Sequence, residues 1–323
     1  MTLKEAVAFL KGAVSRSMPG GATSTYTVFN GWLYAQSPAI LAAYPVPHMQ
    51  GLYSLAADDL EGALARMPAE PTLEAGDGTL ILKSGRLRSA IQLLEADEPA
   101  STYDDVSAEN NETQDLPDGL MRALGTALPF VSRDGTWQRG VRIEEGRVLA
   151  INNRCGIEVA LPALAPPAPS ILTSECVAYL TKLDPPATVR FAGSYVLFAW
   201  PNTAWARCQA MAAEWPNVVD NILNGADDAT PLELDAGWRA SFDDVAAQIK
   251  DGSVELRSDG IFGLGNHSDH IAEFETGVAR TTYWSLEALK PVFAVAERWN
   301  PDAQGAARFV GPGLRGVVVG QRR

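Results

Sequence analysis

Six stretches of this chain carry apolar residues at helical spacing, and each is followed by alternating apolar and polar residues broken by glycine. The first stretch has Leu3, Val7 and Leu10 on one face, which is typical of a helix with one buried side. The alternating segments that follow predict antiparallel strands. The six stretches begin near Leu3, Ala56, Asp118, Ser174, Ser241 and Ser285. The pattern therefore predicts an α+β fold built from repeated units, each a helix followed by strands.

Each unit spans roughly 50–60 residues, which is too long for most solenoid repeats and too short for most independent domains. A second similarity recurs at every other unit. The segments Gly85–Pro99 and Asn202–Pro216 are both patterned as a long strand that stops before proline, and both carry glutamine at the eighth position. The units therefore pair, which predicts three domains with the boundaries 1–110, 111–226 and 227–323.

Signals at the ends of the units refine this organisation. Ser241 followed by Asp244 is spaced like a helix cap, which predicts that the fifth helix begins there. Pro291 lies inside the sixth helical pattern and predicts a kink or a later start, because proline cannot donate a backbone hydrogen bond. The polar stretches Ala100–Asp118 and Asn224–Thr230 predict linkers between the domains.

The net charge, the cysteines and the length of the apolar runs limit the classes of protein and the compartments that fit this chain. A net charge of −13 repels nucleic acid on average, so any contact with DNA must be local or topological. Cys155, Cys176 and Cys208 show no CxxC spacing, which predicts buried, reduced thiols and a cytoplasmic protein. The longest apolar run, Tyr195–Trp200, is far shorter than a membrane span. The sequence therefore predicts a globular protein that is neither secreted nor inserted into a membrane.

Two motifs resemble ligand-binding sites, one for a dinucleotide and one for a metal, but a purely structural explanation fits each of them better. Gly311, Gly313 and Gly316 spell GxGxxG, but a dinucleotide site needs a following helix and the residues after this motif are patterned as a strand. His267 and His270 are spaced HxxH in a turn rich in glycine, asparagine and serine, with no third ligand motif, which favours a solvated loop over a metal site. The sequence thus predicts no enzyme activity, no cofactor and no metal.

Four longer stretches carry a resemblance to a known family. They are LKSGRLRSAIQLLEADEP (82–99), ALPFVSRDGTWQRGVRIEEGRVLAINNRCGIEVALP (127–162), EWPNVVDNIL (214–223) and RFVGPGLRGVVVGQR (308–322). In this order they resemble segments of the DNA sliding clamp, the ring-shaped processivity subunit of bacterial replicases and of their phage counterparts. Two segments depart from the family. Residues 152–155 replace an Asp-Gly-His-Arg-like turn, and the tail GQRR replaces an apolar end.

The resemblance implies a fold, an assembly and a function. It implies three clamp domains, with helices on the inner side of a ring and sheets on the outer side, and a homodimer that closes the ring. Such a ring would encircle duplex DNA without reading its sequence and would tether a DNA polymerase. A cationic lining would give weak phosphate contacts that let DNA slide. The helix faces would supply Lys4, Lys11, Arg16, Arg66, Arg122, Lys182, Lys250, Lys290 and Arg298.

The resemblance also implies an apolar cleft that accepts a short extended peptide of the polymerase or the clamp loader. One wall of this cleft would be lined by Gln138, Ile151, Asn153 and Arg154. Beside them would lie Pro216, Val219 and Asn221. The cleft would be closed by Val318, Gly320, Gln321 and Arg322. Burial of one or two peptide side chains would anchor the partner.

Two other classes of function stay open at this point. A non-catalytic, β-rich structural protein, for instance a virion component, would assemble into higher oligomers and ignore polymerase. An enzyme of an unrecognised kind would lose its turnover when the loop of His267 and His270 is altered.

Overall fold

A computed structural model describes residues 1–15, 24–102, 105, 113–132, 134–224, 231–249, 252–264, 269–302 and 306–321. The chain divides into two compact units. Unit 1 comprises Met1–Asp118 and Glu175–Met211, and unit 2 comprises Gly119–Ser174 and Ala212–Arg323. Within the described residues, no helix is both long enough and apolar enough to cross a membrane.

The helices with bounds in the described residues are α1 (Leu3–Leu10), α2 (Ala57–Arg66), α3 (Leu120–Ala127), α4 (Ser174–Leu180), α5 (Val218–Asn224), α6 (Ala236–Gln248) and α7 (Leu286–Val295). The first strands are β1 (Thr25–Phe29), β2 (Trp32–Gln36), β3 (Ile40–Pro45), β4 (Leu52–Ala56), β5 (Thr72–Gly76), β6 (Thr79–Ser84), β7 (Leu87–Gln92), β8 (Gln114–Asp115), β9 (Gly140–Glu144), β10 (Arg147–Ile151), β11 (Cys155–Ala160) and β12 (Ser170–Thr173). The later strands are β13 (Thr188–Phe191), β14 (Tyr195–Ala199), β15 (Trp205–Gln209), β16 (Leu232–Glu233), β17 (Ser253–Arg257), β18 (Gly260–Leu264), β19 (Asp269–Glu273), β20 (Thr282–Ser285), β21 (Arg298–Trp299), β22 (Ala306–Gly311) and β23 (Leu314–Val319).

The strands form antiparallel sheets in both units, which confirms the predicted α+β class. Unit 1 holds an eight-stranded sheet in the order β4-β1-β2-β3-β15-β14-β13-β8 and a three-stranded sheet β5-β6-β7. Unit 2 holds an eight-stranded sheet in the order β12-β9-β10-β11-β23-β22-β21-β16 and a four-stranded sheet β19-β18-β17-β20. In each unit the apolar faces of the helices pack on the sheets, as the helical stripes predict.

All six predicted helices are present, and the structure corrects details of three regions. The fifth, α6, begins before Ser241, because Asp235 caps it by accepting a hydrogen bond from the Trp238 amide at 2.9 Å. The sixth, α7, starts directly after Ser285 and keeps Pro291 inside it. An additional helix, α5, follows Pro216 within a segment that the sequence did not predict as helical.

Strand pairing connects the three predicted domains to one another. The predicted middle domain gives β13–β15 to the large sheet of unit 1, where β15 pairs with β3. It gives β9–β12 to the large sheet of unit 2, where β11 pairs with β23. The predicted first linker also contributes, since Gln114 and Asp115 form β8 and pair with β13. The chain therefore divides into two units by contact, and the three-domain division stays a prediction.

Several smaller predictions concern single residues. Cys155, Cys176 and Cys208 are buried and form no disulfide, as predicted. Gly313 lies in the turn before β23 and Gly316 lies inside that strand, so the GxGxxG motif is followed by a strand, as predicted. His267 lies outside the described residues.

Gly316 lies in β23 where this strand approaches the neighbouring strand β11 closely. A Cβ atom there would overlap the Phe309 ring and the carbonyl oxygen of Gly156. Because one of these atoms belongs to the backbone of β11, we expect Gly316→Ala to destabilise the protein by about 1–3 kcal/mol. Gly62 in α2 is the matched control, since nothing lies within 4 Å of its added Cβ and alanine should stabilise a helix interior by about 0.5–1 kcal/mol. Urea unfolding followed by circular dichroism measures both changes, and equal midpoints for the two variants would contradict the expectation.

Candidate functional site

An apolar cluster in unit 2 is the candidate binding site. Leu149 and Ile151 come from β10, Val219 and Leu223 from α5, and Val317 from β23. All five side chains are buried and pack together. We call these five residues the cleft cluster. It brings together parts of the chain that the sequence places far apart, and it includes the predicted cleft residues Ile151 and Val219.

Two tryptophans flank the cleft cluster. Trp137 lies in a 3₁₀ turn before β9, and Trp215 directly precedes Pro216. Their rings pack edge to face with centroids 5.0 Å apart, and both contact the cluster. The guanidinium of Arg142 lies 5.5 Å from the centre of the Trp215 ring. The sequence patterns did not predict this aromatic wall, although Trp215 beside a proline in a resembling segment was a signal that could have indicated it.

Polar groups form a rim next to the aromatic wall. Gln138 donates a hydrogen bond from Nε2 to Oδ1 of Asn153 at 2.9 Å, so these two predicted residues are in contact. Asn152 turns the chain between β10 and β11, because its Oδ1 accepts hydrogen bonds from the amides of Arg154 and Cys155 at 2.8 and 2.9 Å. Burial raises the pKa of the Cys155 thiol to about 11, so this thiol stays protonated and unreactive at neutral pH.

Ionic contacts hold α5 against the sheet. Asp220 pairs with the Arg147 guanidinium at 2.9 Å. Arg308 donates hydrogen bonds to the carbonyl oxygens of Leu223 and Ile222 at 3.0 and 3.2 Å, at the end of the helix where carbonyls lack partners. The helix is therefore fixed at both ends, and with it the Val219 side of the cleft cluster.

Glu158 is the centre of a charge network next to this helix. Arg315 of β23 binds its carboxylate with two hydrogen bonds of 3.0 and 2.9 Å, and Arg147 of β10 adds a third of 3.0 Å. Burial alone would raise the pKa of Glu158, but the hydrogen bonds from the two arginines outweigh burial and lower it. The network therefore joins β10, β11 and β23.

The lowered pKa predicts a loss of stability in acid. A carboxyl group with a depressed pKa in the folded state stabilises the protein above its unfolded value and loses this contribution as the pH falls through the folded value. We expect Glu158→Gln to be less stable than the wild type near neutral pH, with the gap narrowing as the pH falls from about 5 to about 3. Glu98→Gln, at an exposed position, is the control and should follow the wild type. Thermal unfolding across this range measures the gap, and a gap that does not change with pH would contradict the linkage.

The other predicted cleft residues occupy varied positions in unit 2. Arg154 donates to the Ser285 hydroxyl at 2.7 Å and pairs with Glu287 at 3.1 Å. Gln321 accepts a hydrogen bond from the Ser253 hydroxyl at 2.6 Å, and so joins the end of β23 to β17.

Neighbouring positions on β23 and α5 differ in the direction of their side chains. Val318 is buried, but adjacent strand residues point to opposite faces, and it is Val317 that joins the cleft cluster. Asn221 is exposed on α5, Pro216 precedes that helix, and Gly320 lies near Trp284. Arg322 lies outside the described residues. The structure thus places Ile151 and Val219 in the cleft cluster, joins Gln138 to Asn153 by a hydrogen bond, and places Arg154 and Gln321 beside β17 and β20.

Comparison with known proteins identifies the fold. No family model matches this chain, and no curated protein matches it either. The Caulobacter crescentus pol III beta structure matches with a TM-score of 0.77 at 17% identity, over 100% of this chain and 98% of that one. The Thermotoga maritima DNA polymerase III beta subunit matches with a TM-score of 0.79 at 15% identity, over 99% and 97%. The chain has the sliding-clamp fold.

A third clamp-fold structure was solved with a ligand. The Helicobacter pylori beta clamp bound to a DNA ligase peptide matches with a TM-score of 0.74 at 11% identity, over 99% of this chain and 98% of that one. The resemblance inferred from the sequence is therefore confirmed at the level of the fold. Within the described residues, no group of three or more His, Cys, Asp or Glu side chains could hold a metal ion.

The predicted DNA-contacting cations lie on several elements of this clamp fold. In unit 1, Lys4 of α1 donates to the carbonyl oxygen of Met67 at 2.5 Å, and Lys11 after α1 pairs with Glu61 at 3.0 Å. Arg66 at the end of α2 donates to the Gly62 carbonyl at 3.0 Å. Two of these three side chains, Lys11 and Arg66, are exposed, and Lys4 is half-buried.

The remaining cations are exposed wherever the structure describes them. Arg122 lies on α3, Lys182 follows α4 and Lys290 lies on α7. Arg298 was expected on a helix face and instead begins β21, where it pairs in register with Glu233. Arg16 and Lys250 lie outside the described residues.

Proposed function

We propose that this protein is a DNA polymerase processivity factor, a homodimeric sliding clamp that encircles duplex DNA. The supporting observation is that the fold matches bacterial clamps over 99–100% of this chain and 97–98% of each neighbour. In this function the protein catalyses no reaction. It acts in the cytoplasm of a bacterium, or of the host if a phage encodes it. The polymerase and the clamp loader dock through a short peptide motif.

Ring closure requires contact between two copies, and the internal strand pairs indicate where. Strand β15 pairs with β3, and β23 pairs with β11 by the same arrangement. Strands β3, β11 and β19 occupy equivalent places in their sheets, and so do β7, β15 and β23. The two strands left without such a partner are β19 and β7. Among the described strands, β7 pairs only with β6 and β19 only with β18, so one edge of each is open. Because open edges pair readily, β7 of one copy and β19 of the second copy are the proposed contact.

The internal pairs also give the register of this contact. Strands β7, β15 and β23 end at equivalent positions, since Gln92, Gln209 and Val319 each pair with the first residue of the preceding strand. Transferring the register of β11 and β23 places Arg88 opposite Ile271 of the second copy. Two residues further along each strand, the same register places Arg86 opposite Glu273 of the second copy.

The side chains at these edges are complementary. Arg86, Arg88 and Glu273 are exposed, and Ile271 is 52% exposed, so its side chain offers apolar surface that a paired strand can cover. An arginine opposite a glutamate contributes a favourable cross-strand pair, and the isoleucine would lose its contact with water. The acidic protein would then grip DNA mechanically, while the exposed helix cations make weak phosphate contacts.

Topological binding gives a decisive test. Protein assembled on nicked circular DNA should stay bound through gel filtration, and cutting the circle once should release it. Blocking both ends of the cut DNA with a bulky adduct should retain it again, because only sliding off an end is prevented. The native mass should be twice that of the 34.5 kDa chain. A monomer indifferent to DNA topology would refute the clamp, and higher oligomers that ignore DNA would favour a structural assembly protein.

The cleft cluster is the proposed docking site for the partner peptide. Its buried aliphatic side chains would receive an apolar anchor of the peptide, while the tryptophans and the pair of Gln138 and Asn153 border it. This assignment is supported by the position of the predicted residues Ile151 and Val219 in one cluster.

A further inference from the structure

The open edge of β5 differs from its two internal counterparts. Strands β5, β13 and β21 each begin a three-stranded hairpin array that ends in β7, β15 and β23. The outer edge of β13 carries the short strand β8, and the outer edge of β21 carries β16. Strand β5 pairs with β6, and no strand among the described residues covers its other edge.

A cavity lies at this open edge in unit 1. It has a volume of about 420 Å³, and its apolar lining comprises Met1, Leu3, Val46, Met49, Pro71 and Leu73. This volume exceeds that of a leucine side chain. The cavity is remote in sequence from the cleft cluster and belongs to the other unit, so the proposed clamp function leaves it unassigned.

The chain itself shows what covers such an edge. The two covering segments read Gln-Asp-Leu at 114–116 and Leu-Glu-Leu at 232–234. In both, the acidic residue pairs with the first residue of the covered strand, Thr188 or Arg298. The equivalent position in unit 1 is Thr72, so the same hydrogen-bonding edge is available there.

The leucine of each covering segment makes the second shared contact. The amide of Leu116 donates to the carbonyl of Ala187 at 2.9 Å, and the amide of Leu234 donates to that of Glu297 at 2.8 Å. Leu234 is only 5% exposed, so the leucine is an apolar anchor in that segment. The carbonyl at the equivalent position before β5 belongs to Pro71, which lines the cavity.

The charges at the cavity are compatible with an acidic peptide residue. Glu70 is the acidic side chain of the lining, and its two oxygens accept hydrogen bonds from the amides of Leu3 and Lys4 at 2.5 and 3.4 Å. The Lys4 ammonium itself is bound to the Met67 carbonyl at 2.5 Å. The two amides at the N-terminus of α1 therefore offset part of the negative charge of Glu70, which reduces its repulsion of an incoming aspartate or glutamate.

We infer that the open edge of β5 and its cavity bind an extended peptide carrying an acidic residue followed by leucine. The peptide adds as a short strand to β5, and its leucine enters the cavity. This is a second peptide site, in unit 1, separate from the cleft cluster and independent of whether the protein acts as a clamp.

The probe is the blocked pentapeptide acetyl-Pro-Leu-Glu-Leu-Asp-amide, the sequence of residues 231–235. Titrated into the intact protein with labelled methionine methyl groups, it should shift the Met49 signal saturably. The peptide acetyl-Pro-Ala-Glu-Ala-Asp-amide should bind at least tenfold more weakly, because it lacks the apolar anchor. Absence of saturation, or equal binding of both peptides, would overturn the site.

Two variants locate the binding. Leu73→Glu places a negative charge in the cavity lining at a half-buried position and should weaken the leucine peptide at least tenfold. Leu52→Glu is the matched control, since Leu52 is 41% exposed in the same unit and outside the lining, and it should bind like the wild type. If both variants bind the peptide as the wild type does, the peptide binds elsewhere and the inference is wrong. Circular dichroism of each variant checks that it is folded.

Discussion

Reversing the charges of Arg86 and Arg88 is expected to convert the dimer into a monomer. In the proposed register Arg86 faces Glu273 of the second copy, and Arg88 faces Ile271 with Glu273 as its diagonal neighbour. The variant Arg86→Glu with Arg88→Glu would place glutamates against a glutamate at each contact, and a closed dimer repeats this contact twice. Like charges directly opposite one another destabilise a strand pair. Light scattering after gel filtration should then give the mass of one 34.5 kDa chain.

A compensating change makes this expectation specific. Glu273→Arg alone should weaken the dimer, and combining it with the two glutamate substitutions should restore the dimer, because opposite charges face each other again. Arg122→Glu on α3 removes an exposed cation away from both edges and should stay dimeric. A double variant that remains a dimer would exclude this interface. A triple variant that is folded but stays monomeric would exclude the register.

The helices were predictable because their signal is local. A buried face at helical spacing is visible within about ten residues, and it identified α1, α2 and α3 together with the three later helices. The start of α6 was misplaced because Ser241 and Asp244 imitate a cap, whereas Asp235 is the residue that accepts the amide hydrogen bond. Both Ser241 and Asp235 are residue types that favour helix caps, so local propensity does not distinguish them. The packing of the buried Trp238 places the start of the helix at Asp235.

Strand pairing was not predictable because its partners are distant in sequence. The pairing of Leu41 with Arg207 joins residues that no local pattern relates, and it makes the predicted first and middle domains share one sheet. The same limit explains the choice of Val318 over Val317 for the cleft. A shift of one residue in a strand exchanges the two faces, and only the register with β11 shows which face meets Ile151.

The cleft cluster depends both on local sequence patterns and on contacts between residues that are distant in sequence. Of the residues that the resemblance implies for the cleft, Ile151 and Val219 lie in the cluster, and Gln138 and Asn153 share a hydrogen bond. The aromatic wall was missed, because the contact of Trp137 with Trp215 depends on the tertiary fold. The aromatic wall beside the proposed docking site is therefore known from the structure and not from the sequence patterns.

A charge placed in the cleft cluster should weaken binding of the proposed partner peptide at least tenfold. Ile151 is 7% exposed and packs against Val219 and Val317, so an aspartate there would have no partner in the described cluster. Burying an unpaired carboxylate is costly, and the site would admit water and lose its apolar anchor. With the DNA ligase peptide known from the Helicobacter pylori clamp as the probe, Ile151→Asp should bind at least tenfold more weakly than the wild type, a loss of about 1.4 kcal/mol or more.

The control for this prediction separates binding from folding. Leu52→Asp makes the same kind of change at a 41% exposed position in unit 1 and should bind the peptide normally. Both variants should keep the native mass of the wild type, since neither residue lies on β7 or β19. Fluorescence anisotropy of the labelled peptide measures the affinity. Equal affinities for Ile151→Asp and Leu52→Asp would move the docking site away from the cleft cluster, because a buried charge at the anchor position cannot leave an apolar contact unchanged.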